Sequence, residues 1–223
     1  MKTFMHISLI IHIICGCIAL LSGLGAIIFR NKVKIHKPFG KTYFWSMTVI
    51  FVTAFYLSLY TQNWFLLFIS VFTYYSTITG YRALKLKKLH MGQNPSKFDW
   101  AIEILFGLMN CVFIAFSVWL LFNNDVSFGI ISLVFGIIGI RGNTATIKRL
   151  RKKLSFKNYW LLAHIGGMMG SYIGAVTTFV VNNNKWIHAP AIVVWLGPAA
   201  FLVPLIIYEI NKHEKKAGKF VIT

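Results

Sequence analysis

Acidic side chains are almost missing from this sequence. Five Asp and Glu stand against 23 Lys and Arg in 223 residues. Beyond Glu103 there is hardly a carboxylate placed for general acid–base work. Cysteine is as sparse: Cys15, Cys17 and Cys111 all fall inside apolar runs, so no disulfide framework is implied. The pair Cys15 and Cys17 would point roughly 200° apart on a helix, too divergent for one metal. Catalytic signatures are missing too. No glycine-rich phosphate loop with its lysine, no metalloprotease helix and no nucleophile elbow occurs. Polar surface is the largest deficit, since 57% of residues are hydrophobic and mean hydropathy is +0.67. A soluble domain of this size could not cover that much apolar surface.

The positive charge is ordered along the chain. Of the 23 basic residues, 21 fall in four clusters, Arg30 to Lys41, Arg82 to Lys97, Arg141 to Lys157 and Lys212 to Lys219. The other gaps, around Gln62-Asn63, Asn123–Asp125 and Asn182–Lys185, hold one Lys. Basic loops that alternate with uncharged ones mark an integral membrane protein whose basic loops face the cytoplasm. The formal charge of +18 therefore points to anionic lipid headgroups at those loops and away from nucleic acid, which needs a folded basic face. The pattern predicts an all-α, integral membrane seven-helix bundle with its N-terminus outside and C-terminus inside. The expected spans are residues 7–29, 43–60, 64–84, 100–122, 126–147, 159–181 and 188–210, each near the ~20 residues that cross a ~30 Å hydrocarbon core. One domain over residues 1–223 and a bacterial inner (cytoplasmic) membrane location follow. The first run is read as a retained helix, because basic residues follow it instead of preceding it. Trp45, Trp64, Trp100, Trp160 and Trp186 lie at span ends, as an interfacial belt requires.

Ionisable residues inside such spans are expensive and so are candidates for function. His12 shares a helix face with Ser8, Gly16, Ala19, Gly23 and Ala26, and His164 shares one with Gly167, Ser171, Gly174 and Ala175. Small residues of this kind serve close helix packing, or they leave a smooth wall for a flat macrocycle. His36 and His164 fall on the inner side, His12 and His188 on the outer side. Haem b, its iron held by His164 or His12, is the cofactor such layers suggest. No span carries two histidines half a membrane apart, as di-haem b-type cytochromes do. Glu103, with Arg82 and Arg141 at a similar depth, forms a second candidate constellation, and a Glu103–Arg141 pair across the hairpin of spans four and five is expected. The sequence Gly80-Tyr81-Arg82…Asp99-Trp100 is echoed by Gly139-Ile140-Arg141…Tyr159-Trp160, as duplication of a helical hairpin would leave.

Several blocks resemble a family of bacterial multi-pass predicted membrane proteins with a domain of unknown function. They are His36 to Tyr43, Thr79 to Leu84 with Asp99-Trp100, His164 to Thr177, and Trp195 to Pro198. The resemblance implies a membrane-embedded helical fold and brings no activity with it. Three functional readings remain: a haem-binding or redox-associated membrane protein, a transporter built on Arg82, Glu103 and Arg141, or a non-catalytic assembly or scaffold protein.

Overall fold

In a computed structural model, residues 2–151 and 157–216 are described, without the side chains of 205 and 209–216. Lys152, Lys153, Lys219 and the side chain of His213 lie outside them. Every regular element among the described residues is helical: α1 (Lys2–Ile28), α2 (Val33–Tyr60), α3 (Trp64–Ala83), α4 (Lys97–Phe122), α5 (Val126–Leu150), α6 (Tyr159–Asn182), the single turn α7 (Asn184–Ile187) and α8 (Ala191–Lys216), with a 3-10 turn at Leu89–Met91. Helices are what apolar segments of this length must form, since lipid offers backbone groups no other partner. Six of them are long and apolar enough to cross a membrane. The 20-residue α3 has the length, but Thr73, Tyr74, Tyr75, Ser76, Thr77 and Thr79 dilute its hydropathy. Several hydroxyls within the helices are satisfied locally: Thr48 donates to Phe44 O, Ser117 to Phe113 O and Thr178 to Gly174 O. Large apolar side chains such as Ile10, Leu21, Leu105, Leu108 and Phe201 face outward, as in a multi-pass membrane protein.

The chain divides into two compact units, Met1–Ile78 and Thr79–Thr223. In the first, α1 lies along α2 through Ala19, Ser22, Gly23 and Gly25. A methyl on Gly25 would come 2.6 Å from the Phe39 ring, so the glycine makes room for that ring. Farther along α2, Phe51 stacks on Tyr74 with centroids 4.4 Å apart, and Thr48 Oγ1 lies 3.3 Å from the Tyr74 hydroxyl.

Helix α2 starts at Val33, ten residues before the apolar span expected from Tyr43, and runs through Pro38. An apolar run marks what the bilayer accepts, whereas a helix continues as long as its backbone bonds can form. The α2–α3 turn and the α4–α5 turn share one construction. Gln62 (φ 54°) and Asn124 (φ 61°) take the left-handed conformation, then Asn63 and Asp125 accept from Leu66 N and Phe128 N.

In the second unit, α4 pairs with α5 and α6 with α8, and α8 also touches α5. The buried positions of α4 are Asp99, Glu103, Phe106, Asn110, Phe113, Ser117 and Leu120, alternating by four and three. That is the seam of a left-handed helix pair. Small residues of α5 meet it: a methyl on Gly136 would sit 2.6 Å from Ile114 Cγ1, and one on Gly129 2.6 Å from Leu121 Cδ2. Helix α8 passes through Pro198 and Pro204 without interruption, and Pro190 stands just before its first residue, accepting from Val193 N.

Candidate functional site

Three histidines within the helices, His12, His36 and His164, are each pinned by a hydrogen bond. His36 Nδ1 donates to Ala26 O at 2.9 Å, across the α1–α2 connection. His164 Nδ1 donates to Gly80 O at 2.9 Å, joining α6 to the end of α3. A carbonyl can only accept, so in both rings the proton sits on Nδ1. His12 Nδ1 lies 2.9 Å from Thr53 Oγ1. The Thr53 hydroxyl already donates to Val49 O and Ile50 O at 2.9 and 3.0 Å, so His12 must be the donor. His188 differs from all three: it is exposed, takes a left-handed φ of 55° and caps α7.

Gly80 explains why α3 and α6 come close enough for the His164 bond. A methyl at Gly80 would lie 2.8 Å from Met168 N and 3.0 Å from Gly167 C, so here backbone meets backbone. The small face of α6 that the sequence displays is thus used for helix contact at this level.

Arg82 reaches the first turn of α4. Its Nε donates to Asp99 Oδ1 at 2.7 Å and its Nη2 to Asp99 Oδ2 at 2.8 Å, a two-pronged pairing. Asp99 Oδ2 also accepts from Ser96 N at 2.8 Å and Ser96 Oγ at 2.6 Å, while Ser96 caps Asp99 N. The result is a capping box with a guanidinium locked onto it. In the sequence Asp99 stands out only through the Asp99-Trp100 pair of the echo, although the Ser-Lys-Phe-Asp spacing is a readable start signal for a helix.

Glu103 is 2% exposed, and its Oε2 accepts from Asn143 Nδ2 at 2.6 Å; the same amide donates to Glu103 O at 3.1 Å. The expected Glu103–Arg141 pair does not form, because Arg141 is exposed. Two residues along α5 turn a side chain by roughly 200°, so of Arg141 and Asn143 only one can face α4. Two turns farther along α4, Asn110 Nδ2 donates to Gly136 O at 3.0 Å. The echo between Arg82 and Arg141 therefore does not extend to their contacts, since one is paired with a carboxylate and the other is turned outward.

Among the described residues, no three His, Cys, Asp or Glu side chains group as a metal site. A shallow cleft does open in the second unit, lined by Lys87, His90, Arg149, Tyr159 and Trp160 over Leu86 and Leu89. None of the seven candidate residues lines it.

Residues 9–94 match the family described as "Predicted membrane protein (DUF2306)". The matched stretch includes two of the blocks on which the resemblance rests, His36 to Tyr43 and Thr79 to Leu84. No curated protein and no solved structure matches the chain.

Proposed function

We propose that this is a seven-span, single-domain protein of the bacterial cytoplasmic membrane, with its N-terminus outside and C-terminus inside, working as a non-catalytic assembly or scaffold protein. The observation that carries the reading is the use made of the polar residues in its helices. Glu103 is tied to Asn143, Asn110 to Gly136 O, His164 to Gly80 O and His12 to Thr53. In hydrocarbon such bonds specify which helices meet and in what register. A transport site would instead turn its ionisable groups toward a wet cavity. The seventh span is α3, whose 20 residues are about 30 Å long.

Two experiments bear on this. For topology, single cysteines at Lys88 and Asn183 are challenged with an impermeant thiol reagent in intact cells. Labelling at Asn183 and protection at Lys88 support the orientation, and the reverse overturns it. For function, Glu103→Gln keeps an amide-bonded side chain of the same shape while removing the carboxylate. A scaffold with this change restores the phenotype of a deletion strain as well as the parent chain does. Failure at normal membrane abundance would instead favour transport through Arg82, Glu103 and Arg141.

The haem reading keeps one specific observation. The Nδ1–carbonyl bonds of His36 and His164 place the proton as it is placed in imidazoles that ligate metals through the other ring nitrogen. The absorbance spectrum of protein purified from haem-replete cells decides it. A Soret band lost on His164→Ala establishes haem b and displaces the scaffold reading, while a colourless protein removes haem.

A further inference from the structure

The α4–α5 pair turns one cation away from itself. Arg141 is exposed, and among the described residues nothing accepts a hydrogen bond from its guanidinium. It stands fifteen residues after Val126 and nine before Leu150, about 22 Å and 14 Å from the two ends of α5. Lys148, the next basic residue, lies two turns nearer the C-terminal end, so Arg141 sits about 10 Å deeper than the charged rim. Ile137, Ile138 and Ile140 beside it are all exposed, the surface that a membrane helix gives to lipid. A guanidinium there is expensive unless an anion meets it. Snorkelling is a poor escape, because the Cα–Cβ bond of a helical residue leans toward the helix N-terminus. For Arg141 that direction leads to the far surface. Gly142 and Ala145 share its face, and a methyl on Gly142 would meet nothing within 4 Å. A second helix can therefore come close to the backbone beside the cation.

This chain has few acids to offer such a place. Residues 1–78 contain no Asp or Glu. Asp99 is bound by Arg82, Glu103 by Asn143, and Asp125 caps the opposite end of α5. Glu209 and Glu214 stand in the C-terminal part of α8, among Lys212, Lys215 and Lys216. Two copies side by side would also bring together chains of formal charge +18 each. We infer that the outward face of α5 around Arg141 docks a membrane helix of a different protein, one that carries an Asp or Glu at the depth of Arg141. The ion pair forms as the helices meet, and Ile137 and Ile138 pack beside it. The inference rests on the assembly reading and gives it a partner of stated chemistry. That reading is judged by complementation with Glu103→Gln, which leaves Arg141 in place, so the two can fail separately.

The test reconstitutes the full chain, fused at its C-terminus to a fluorescent protein, in phosphatidylcholine vesicles. The probe is a Leu-Ala helix of about 20 residues with an acceptor dye and a single Glu at the depth of Arg141. Two control helices carry Gln or Leu at that place. Energy transfer is expected to show the Glu helix bound about three- to tenfold more tightly than the Gln helix, the worth of one interhelical polar bond in a bilayer. Arg141→Gln abolishes the difference, while Arg141→Lys keeps part of it. Arg141→Glu reverses the choice, so that a helix with Arg in place of Glu is preferred. Equal binding of the three helices overturns the site, as does a Glu preference that survives Arg141→Gln. Energy transfer between two labelled copies of the chain, lost with either Arg141→Gln or Glu209→Gln, would make a second copy the occupant and overturn the separate partner. A Glu preference present in phosphatidylcholine and absent in phosphatidylglycerol would mean that a lipid phosphate holds Arg141, which overturns the partner helix too. If Arg141→Glu does not insert, the Gln and Lys changes carry the test.

Discussion

Removing the Asp99 side chain should loosen the junction of α3 and α4 more than any other single truncation at that level. In Asp99→Ala, Arg82 loses both its hydrogen bonds to the carboxylate, and Ser96 loses its reciprocal partner. A lost helix cap costs about 1 kcal/mol, and a hydrogen bond to a charged group about 1.5–3 kcal/mol. The Arg82 side chain keeps 19% exposure and recovers part of its hydration, so the sum is about 2–3 kcal/mol. Ser96→Ala, which leaves the Arg82–Asp99 pair standing, should cost about 1 kcal/mol. Arg82→Gln with Asp99→Asn should cost less than the two single changes added together, because neither charge is then stranded. Unfolding in mixed micelles of increasing dodecyl sulfate, followed by tryptophan fluorescence, measures all five variants. If Asp99→Ala is no less stable than Ser96→Ala, or if the single changes add without coupling, the guanidinium is held by something other than this carboxylate.

Two further contrasts follow from the same structure. Arg141→Ala at an exposed position should shift stability by no more than about 0.5 kcal/mol, whereas Asn143→Leu, which strips Glu103 of its amide partner, should cost about 1–3 kcal/mol; the same unfolding assay would refute the assignment if the order were reversed. Gly80→Ala should destabilise by about 1–3 kcal/mol, because the added carbon meets the α6 backbone. Gly142→Ala has nothing within 4 Å and should be neutral or stabilising by up to about 1 kcal/mol; thermal stability of fluorescent-protein fusions in detergent distinguishes the two.

What the sequence made legible was spacing, and what it concealed was rotation and partnership. Basic clusters and apolar runs located the helices, because hydropathy acts on whole segments. The true start of α2 was hidden, since a helix that leaves the bilayer no longer has to be apolar. The stripe Asp99, Glu103, Asn110 and Ser117 could be read from its spacing of four, seven and seven residues, which keeps it on one helix face, and it is buried. Its partners could not be read. Arg141 drew attention through its charge, while the neighbouring Asn143, a weaker signal, has the right angle around the helix. The contact of His164 with a carbonyl 84 residues away depends on Gly80 allowing two backbones to touch, and no local pattern encodes that. His90, Arg149 and Trp160 meet at the cleft only after three separate segments have packed.

The early start of α2 has a mechanical side. From Val33 to Thr42 the basic segment is ten helical residues, about 15 Å of rod at 1.5 Å per residue. Lys34, Lys37 and Lys41 recur at three and four residues, so they share one edge of that rod. A flexible loop would let each lysine find its own anion and would absorb any pull. Charges mounted on a helix instead keep one fixed spacing, and the same axis continues into Tyr43, Met47 and the rest of the span, so any pull on the lysines becomes a lever on it. Pro38, which cannot donate to the carbonyl four residues before it, is the softest point of that lever. It lies between Lys37 and Lys41, so the rod yields within its charged segment before the strain reaches the packed turns that follow.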